Sequence, residues 1–273
     1  MAEQDELRRQ DHWQALGIRT DIPHPARVYD YLLGGKDNFA ADREAADMSL
    51  RISPEVLDSA RANRKFLIRA VEFLRDSGIR QFLDVGTGLP TSPNTYEVAQ
   101  LGHPEARVVY VDNDPVVFLH AESLMADNQT TTVVRADLRD VSEVLAAAGK
   151  LLDFTKPVGL LFVACLHNIP DTDDPAGIVA RYLSALAPGS YLVISHATDE
   201  LAPDRMHEIT AEYEKRGTVF VGRGKAAIQR MFNGWDLIDP GVVIASYWRP
   251  DSGQPDHNAD RVWAYCGAAR NPG

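Results

Sequence analysis

"FLDVGTGLPTSPN", residues 82–94, is the stretch of this chain that indicates its fold class most clearly. Its first half is an apolar run interrupted by Asp84, and Gly86 and Gly88 follow at once, which is typical of a buried strand that turns into a helix. Glycine in such a turn lets the backbone approach a ligand without a Cβ in the way. The stretch therefore predicts the first strand of a sheet, with a ligand-binding turn at its carboxyl end.

Short β-rich runs continue beyond this stretch and alternate with segments of helical spacing. "ARVVYVDND", "TTVVRADL", "VGLLFVACLHN" and "GSYLVISHATDE" are apolar almost throughout, as expected for parallel strands covered by helices on both faces. The spacing predicts helices over about 53–77, 93–101, 114–126, 140–148, 175–187 and 203–216. Two runs within residues 231–250 and 261–271 lack a crossover helix, so they predict an antiparallel pair at the end of an α/β sheet.

The chain has 273 residues, enough for one large core or for one domain with an added segment. Residues 1–52 do not follow the alternation of strands and helices. We therefore expect them to form a helical extension or lid over the active edge of a sheet domain that comprises residues 53–273.

The net charge and the cysteine content restrict which molecules this protein can bind and in which cellular compartment it is expected. A formal net charge of −11 and a pI near 5.2 disfavour nucleic acid, because phosphate binding needs a basic surface. Two cysteines cannot build a disulfide framework, and no stretch approaches the ~20 apolar residues that a membrane span requires. The N-terminus is charged and lacks the apolar region of a secretory signal. We expect a cytoplasmic protein without a membrane partner.

Carboxylates also end the second and third predicted strands. Asp112 lies where an acidic side chain can accept hydrogen bonds from a ribose diol, and Asp137 lies where one can accept from an adenine amino group. Either residue alone could equally be a helix cap. Acidic residues at three successive strand ends point to a ligand, because open α/β sheets bind ligands at these ends.

The glycine turn bears on the choice of cofactor. A dinucleotide site needs a third glycine, and this chain has Thr91 at that position, after Pro90. Asp84 adds negative charge beside the position of a diphosphate, yet it suits a cofactor with a cationic amino group and a sulfonium. An NAD-dependent oxidoreductase remains an alternative at this stage.

Longer strings narrow the interpretation. "PARVYDYLLGGKDNFAADRE", "DVGTGLPTSPNTYEVAQ", "VYVDNDPVV", "LHNIPD" and "GWDLIDPGVV" resemble the actinobacterial S-adenosyl methyltransferase family that was long catalogued as a domain of unknown function. The resemblance runs from about residue 20 to 268 and leads to the class I methyltransferases that depend on S-adenosylmethionine. It departs from the general class pattern at Leu89-Pro90, in the loop beside the expected methionine moiety.

The resemblance implies a Rossmann-like fold with a mostly parallel seven-stranded sheet and a terminal antiparallel strand. It also implies an S-adenosylmethionine site around Asp84, Gly86 and Gly88, with ribose contacts from Asp112. Adenine contacts are implied near three residues: Asn113, Asp137 and Leu138. It does not supply the methyl acceptor, and a catalytically silent protein that binds S-adenosylmethionine remains an alternative.

The stretch "HPARVYDYLLGGKDNFAADRE", residues 24–44, contains Gly34-Gly35-Lys36. It is not a Walker-type phosphate loop, because Asp37 replaces the hydroxyl residue that would bind Mg²⁺. We expect the two glycines to let the lid turn tightly over the cofactor. Four side chains are expected to reach the methionine carboxylate or the substrate, unless the turn is merely solvated: Arg27, Tyr29, Lys36 and Asn38.

Methyl transfer from a sulfonium needs positioning and sometimes a base. His167 follows the fourth strand and is the first candidate base, with packing or cofactor contact as its alternative; His196, after the fifth strand, is the second. We predict no metal, because Asp174-Pro175 is explained as a helix start. The acidic balance and the lid favour a small-molecule acceptor, whereas the acceptor atom and the oligomeric state stay open.

Overall fold

A central β-sheet carries the candidate site at one edge. The structure, a computed structural model, describes residues 13, 15–125, 128–255 and 258–273. Residues 1–12 and 14, which begin the predicted N-terminal extension, and residue 126, the predicted end of a helix, lie outside the described residues. Within the described part, no helix combines the length and the apolar character that crossing a membrane requires.

The sheet is mostly parallel, as predicted. The parallel strands are β1 (Gln81–Val85), β2 (Arg107–Asp112), β3 (Thr131–Arg135), β4 (Gly159–Val163) and β5 (Tyr191–Ala197). The other strands are β6 (Asp236–Leu237), β7 (Val243–Ile244) and β8 (Ala264–Arg270). The order is β3-β2-β1-β4-β5-β8-β6, and β7 pairs with β8 outside this path.

The antiparallel end of the sheet is confirmed, with one difference in detail. β8 pairs antiparallel with β5 along its whole length, from Tyr191 opposite Arg270 to Ala197 opposite Ala264. β6 and β7 each add a two-residue antiparallel pairing to β8. The sheet therefore has eight described strands instead of the predicted seven, because the run at 231–250 is interrupted and contributes two short strands.

The helices follow the predicted order with shorter ends. They are α1 (Pro25–Leu32), α2 (Ala40–Ile52), α3 (Glu55–Asp76), α4 (Thr95–Ala99), α5 (Pro115–Met125), α6 (Val141–Ala148), α7 (Pro175–Leu183), α8 (Pro203–Lys215) and α9 (Lys225–Arg230). The predicted cap of α7 is confirmed: an Asp174 carboxylate oxygen accepts from the Gly177 N–H at 3.0 Å, and Pro175 occupies the first helical position. Helix α9 was not predicted, and α7 ends at Leu183 instead of residue 187.

Alternate residues of each central strand enter two different cores. Leu83 of β1 and Leu160 of β4 pack on the face that α6 and α7 cover. Phe82 and Leu161 pack on the opposite face, against α3 and residues such as Phe66. This two-residue alternation buries both faces of the sheet, which explains the continuous apolar runs in the sequence.

The N-terminal helices form a smaller core of their own. Val28 of α1 and Met48 of α2 pack against Ile209 and Tyr213 of α8, with small residues of α2 between them. Because α8 follows the carboxyl end of β5, α1 and α2 lie at the edge of the sheet where the parallel strands end. The segment expected to act as a lid thus borders the candidate site.

Candidate active site

A cavity of about 410 Å³ opens at the carboxyl ends of the parallel strands. β1 lies between β2 and β4 here, which is the switch in strand order where open α/β sheets bind ligands. Eight of the predicted cofactor residues line it: Tyr29, Asp84, Gly86, Gly88, Asp112, Asn113, Asp137 and Leu138. The three carboxylates that the sequence predicts at the ends of separate strands therefore line one cavity.

The turn after β1 requires its glycines. Gly86 and Gly88 have φ values of +72° and +69°, a region in which residues with a Cβ are strained. A Cβ on Gly86 would lie 2.4 Å from the Cβ of Cys165, so this position has no room for a side chain. The Cys165 thiol donates to the Val85 carbonyl, and burial raises its pKa well above the ordinary value, which fits a packing role.

Asp112 connects the turn to the end of β2. One carboxylate oxygen accepts from the Gly88 N–H at 2.9 Å, and the other accepts from the Asp114 N–H at 3.0 Å. Burial raises the pKa of this carboxyl above its usual range. Each oxygen has two lone pairs, so both can still accept a hydrogen bond from a ligand hydroxyl.

Asp84 is a buried carboxyl at the end of β1. It accepts from the Thr95 hydroxyl at 2.6 Å, and burial raises its pKa to about 6, although the nearby Arg64 charge opposes the rise. Arg64 donates through Nη2 to the carbonyls of Thr91 and Pro93, whereas its buried Nε has no hydrogen-bond partner among the described residues. The cavity therefore places the buried Asp84 carboxyl near the Arg64 guanidinium, whose Nε–H has no acceptor among the described residues.

Asp137 and Leu138 form the part of the lining that follows β3. Arg139 holds the Asp137 carboxylate through both of its oxygens, at 2.9 and 2.7 Å, and this contact keeps the pKa of Asp137 below its usual value. The fixed carboxylate is half-buried beside the partly buried Leu138. An apolar side chain next to a fixed hydrogen-bond acceptor suits the edge of a purine ring.

His24 is a lining residue that the sequence did not single out. Its Nε2 lies 3.1 Å from Asn113 Oδ1, and its Nδ1 lies 3.0 Å from Asp114 Oδ2, so it joins the start of α1 to the end of β2. It precedes Pro25 at the first position of α1, which is a helix-start signal. That signal predicts a cap, whereas the contact with residues 113 and 114 depends on the tertiary structure.

Three side chains that were expected to reach the cofactor, those of Arg27, Lys36 and Asn38, do not line the cavity. Arg27 is buried, with Nε 2.9 Å from Asp114 Oδ2 and Nη1 donating to the Arg19 carbonyl. Asn38 donates to Asp30 Oδ2 and to the Gly35 carbonyl, so it closes the loop that contains the two glycines. Lys36 is exposed. The contacts of Arg27 and Asn38 favour structural roles in and around the N-terminal helices.

A second, mainly apolar cavity of about 120 Å³ adjoins the first. The two cavities share a wall, and this shared wall consists of Pro25, Tyr29, Asn63, Ala164 and Asn168. Two of its polar side chains are paired, because Asn63 Nδ2 donates to the Tyr29 hydroxyl at 2.8 Å. Asn63 Oδ1 also accepts from the hydroxyl of Ser195, which lines the apolar cavity. The paired network holds the wall in place.

Ala164 occupies the end of β4 in this wall with a φ of +56°. Its N–H donates to the Ser195 hydroxyl at 2.9 Å. A left-handed conformation is unusual for a residue other than glycine, and such strained positions concentrate at functional sites. The small side chain keeps the boundary between the two cavities thin.

The two candidate bases lie side by side at the second cavity. The rings of His167 and His196 are 5.6 Å apart and nearly perpendicular. His196 is buried, and both of its ring nitrogens are engaged, with the Ala197 carbonyl at 2.7 Å and with Arg223 Nη1 at 2.9 Å. Burial lowers the pKa of His196 to about 3 and that of His167 well below its ordinary value. These contacts do not favour the predicted role of a general base.

The three aspartates after β4 have separate partners. Asp171 accepts from Arg223 at 2.7 Å, Asp173 accepts from Arg139 at 2.8 Å, and Asp174 caps α7. Across residues 13, 15–125, 128–255 and 258–273, no cluster of three or more acidic, histidine or cysteine side chains has a metal-binding arrangement.

The larger cavity fits a nucleoside that carries a positive charge and a carboxylate. Asp112 and Asp137 offer fixed acceptors for hydroxyl and amino groups, and Asp84 offers a carboxylate for a cation. The unpaired Nε of Arg64 offers a donor for an anionic group. S-adenosylmethionine combines these groups in one molecule.

The sequence and the structure match known proteins along almost the whole chain. A family model described as S-adenosyl methyltransferase matches residues 11–272. A DUF574 family protein from Streptomyces avermitilis is 42% identical, with 93% of this chain and 100% of that chain covered and a TM-score of 0.88. A protein from Thermobifida fusca, provisionally assigned as a methyltransferase, is 40% identical, with 93% and 96% covered and a TM-score of 0.86. No curated protein matches the chain.

The chain therefore belongs to the S-adenosyl methyltransferase family and is a methyltransferase that depends on S-adenosylmethionine. The family, the α/β fold and the cofactor inferred from the sequence are confirmed. This membership decides against the nicotinamide-dependent oxidoreductase that the sequence left as an alternative.

Proposed function

We propose that this S-adenosyl methyltransferase holds its cofactor in the larger cavity and methylates a small molecule held in the adjoining apolar cavity. One observation carries the proposal: the two linings meet in a single wall that includes Tyr29, Asn63 and Ala164. Methyl transfer requires the donor and acceptor atoms to approach within van der Waals contact, so their sites must adjoin.

We assign the cofactor contacts by chemistry. Asp112 accepts from the ribose hydroxyls, while Asp137, Leu138 and Asn113 hold the adenine, as expected from the sequence. Asp84 faces the cationic part, because a buried carboxylate with a raised pKa gains from an added positive charge. Arg64 takes the methionine carboxylate in place of Arg27, Lys36 and Asn38, because no described residue accepts a hydrogen bond from its buried Nε. Gly86 and Gly88 let the backbone approach the cofactor.

The residues of the chain contribute position and shelter. The cofactor supplies a methyl group on a sulfonium, whose leaving group needs no acid. Tyr29 and Asn63 fix the wall through the hydrogen bond at 2.8 Å, and Ala164 keeps that wall thin. Val28, Ile209 and other apolar side chains of the second cavity exclude water from the acceptor.

We keep residues 1–52 as a helical lid on a methyltransferase domain of residues 53–273. His24, Pro25, Ala26 and Tyr29 line the cofactor cavity, so the described part of this segment covers the strand ends. Closure of such a cover would shield the reacting groups from water. Amide hydrogen exchange tests this: S-adenosylhomocysteine should slow exchange in α1 more than in α6, and equal effects would contradict the lid.

The proposed acceptor is a small molecule, because the second cavity has a volume of only about 120 Å³. The net charge of −11 also disfavours an RNA or DNA acceptor. We place the reaction in the cytoplasm, where a reducing environment keeps the buried Cys165 and Cys266 as thiols.

Filling the second cavity tests the proposal. Val56 lines the apolar cavity and not the cofactor cavity, so Val56→Phe should fill space for the methyl acceptor and leave the cofactor cavity open. Wild-type protein is incubated with methyl-labelled S-adenosylmethionine and a panel of small phenols, amines and heteroaromatic compounds, and S-adenosylhomocysteine formation is measured. The exposed Leu119 lines neither cavity, so Leu119→Phe serves as the matched control.

We expect Val56→Phe to lose turnover of any accepted compound and to keep the S-adenosylhomocysteine affinity of the wild type. Leu119→Phe should keep both. Turnover that survives Val56→Phe would show that the acceptor binds elsewhere.

A further inference from the structure

A chain of buried hydrogen bonds leads from the surface to the apolar cavity. Asp171 accepts from the Arg223 guanidinium at 2.7 and 2.9 Å, and Arg223 also donates to the carbonyls of Leu166 and Ile169. Arg223 Nη1 lies 2.9 Å from His196 Nε2. Because arginine only donates, Nε2 of His196 must be the acceptor, and the proton of the neutral ring must be on Nδ1.

The same reasoning fixes the form of His167. His196 Nδ1 donates to the Ala197 carbonyl at 2.7 Å, and the N–H of Ala197 lies 3.3 Å from His167 Nδ1. A backbone N–H only donates, so His167 Nδ1 accepts and the proton of its neutral ring is on Nε2. No partner for this Nε2–H occurs among the described residues, and the ring lines the apolar cavity.

The surroundings of His167 keep its ring neutral. His196 faces it at 5.6 Å, and the uncharged ring of Phe220 packs on it at 4.8 Å. Arg223 is the charged group that acts on both imidazoles, with Asp171 as its counter-ion. Burial, followed by the neighbouring His196 ring and the charge of Arg223, lowers the pKa of His167, so the ring does not gain a proton near neutral pH.

The apolar cavity offers no ionised group to an acceptor. Its polar lining comes from tyrosine, serine, asparagine and histidine side chains, and within the described chain no aspartate, glutamate, lysine or arginine contributes to it. A buried charge without a partner costs several kcal/mol, so the cavity selects uncharged molecules. Its volume of about 120 Å³ resembles the cavity of about 150 Å³ that accommodates benzene in another protein.

We infer that His167 is a hydrogen-bond donor to the methyl acceptor, and that the acceptor is an uncharged molecule with a benzene-sized apolar ring and one oxygen, which has a lone pair for this hydrogen bond and a second one for the methyl group. This inference rests on the proposed function, because it assumes that the second cavity holds the acceptor. Asp171, Arg223 and His196 are positioning residues that fix the donor form of His167.

Methyl transfer in such a cavity proceeds without a protein base. One lone pair of the acceptor oxygen accepts the hydrogen bond from His167, and the other forms the new bond to the methyl carbon, while the carbon–sulfur bond breaks and its electron pair stays on sulfur. The positive charge moves from sulfur to the acceptor. Any proton that the methylated product then loses goes to bulk water after the product has left the cavity, since no group of the described lining takes it at neutral pH.

The form of His167 can be tested without any acceptor. Histidine side-chain nitrogens are labelled with ¹⁵N, and His167→Phe assigns the signals of this ring. From about pH 5.5 to about pH 8, around the ordinary histidine value of about 6.5, we expect a neutral ring with its proton on Nε2 throughout. A titration in this range, or a proton on Nδ1, would overturn the inference.

Selectivity is tested with two probes of one shape, pyridine and benzene, on protein saturated with S-adenosylhomocysteine. Ligand-observed NMR should show that pyridine binds about fivefold more tightly than benzene, which is the ratio that one net hydrogen bond gives. His167→Phe should remove this preference. His167→Gln, which keeps an N–H donor, should retain it. Benzoate, with its charge, should bind more weakly than either probe.

The outcomes separate the two proposals. Saturable S-adenosylhomocysteine binding without a preference for pyridine, or with a preference that survives in His167→Phe, overturns the role of His167. Probe binding that is unaffected by Val56→Phe shows that the apolar cavity is not the acceptor site, and this outcome contradicts the proposed function itself. The neutral form of His167 would then still be measured independently.

Discussion

Asp112→Asn is the substitution that most sharply separates a cofactor-binding role from a structural one. Both carboxylate oxygens accept backbone N–H groups, from Gly88 at 2.9 Å and from Asp114 at 3.0 Å. An asparagine has only one oxygen, so its amide nitrogen must face one of these two donors in either orientation. The change keeps the size of the side chain, and it removes both the charge and one acceptor.

The expected magnitudes follow from this geometry. One buried N–H loses its acceptor, which should lower the free energy of unfolding by about 1–3 kcal/mol. If the ribose diol binds Asp112, one hydrogen bond to a charged group is also lost, at about 2 kcal/mol, so the Kd should rise about 30-fold. S-adenosylmethionine and S-adenosylhomocysteine should be affected equally, since they share the ribose.

Isothermal titration calorimetry gives the two affinities, and urea unfolding without ligand gives the stability. Asp236→Asn is the matched control, because Asp236 is an exposed strand residue that lines neither cavity, and it should change neither quantity. If Asp112→Asn lowers the stability and leaves both affinities within about twofold, Asp112 only braces the turn, and the ribose contact is refuted.

Three further predictions concern the same cavity. Gly86→Ala should lower the free energy of unfolding by about 2–4 kcal/mol, because the position has a positive φ and a Cβ there would overlap Cys165. Gly78→Ala, at φ +91° but with open space around it, should lower it by about 1 kcal/mol. Equal losses in urea unfolding would contradict the close packing of Gly86 against Cys165. The pKa of Asp84 is about 6, and a bound cation favours its ionised form. The affinity for S-adenosylmethionine should therefore fall as the pH is lowered through about 6, by at most tenfold per pH unit, and Asp84→Asn should remove this pH dependence. A wild-type affinity that calorimetry finds independent of pH would refute the contact between Asp84 and the cation. Arg64→Gln should weaken S-adenosylmethionine about tenfold and leave its decarboxylated analogue unaffected, and equal losses for the two ligands would exclude a carboxylate contact.

The cofactor half of the site could be predicted because its signals are local. Gly86 and Gly88 stand directly after a recognisable strand, and Asp112 and Asp137 end the next two strands. Once the strands are parallel and adjacent, their carboxyl ends must meet at one edge of the sheet. Short sequence motifs are therefore enough to predict that these residues lie together in three dimensions.

The N-terminal contacts could not be predicted in the same way. Arg27 and Lys36 look equally able to reach an anion in the sequence, yet Arg27 is buried against Asp114 and Lys36 faces solvent. Arg64, by contrast, belongs to a helix whose basic residues look like an exposed face. Which cation enters the cavity depends on how α1 and α3 pack, and amphipathic spacing alone does not specify that packing.

His167 and His196 show a second limit of prediction from sequence. Histidine after a strand is a reasonable base candidate, because its ordinary pKa lies near neutral pH. The ring form of His167 depends on Ala197, and that of His196 depends on Arg223, a residue 27 positions further along the chain. Burial and these long-range partners reverse the expected behaviour, and neither is visible in the local sequence.

Cofactor and methyl acceptor are proposed to occupy two cavities that meet at the shared wall, which includes Tyr29, Asn63 and Ala164. A crystal structure of the protein with S-adenosylhomocysteine would locate both sites relative to this wall. We expect adenosine between Asp112 and Asp137, with the sulfur facing the shared wall. Adenosine in the apolar cavity, or a sulfur that faces solvent away from this wall, would contradict this proposal.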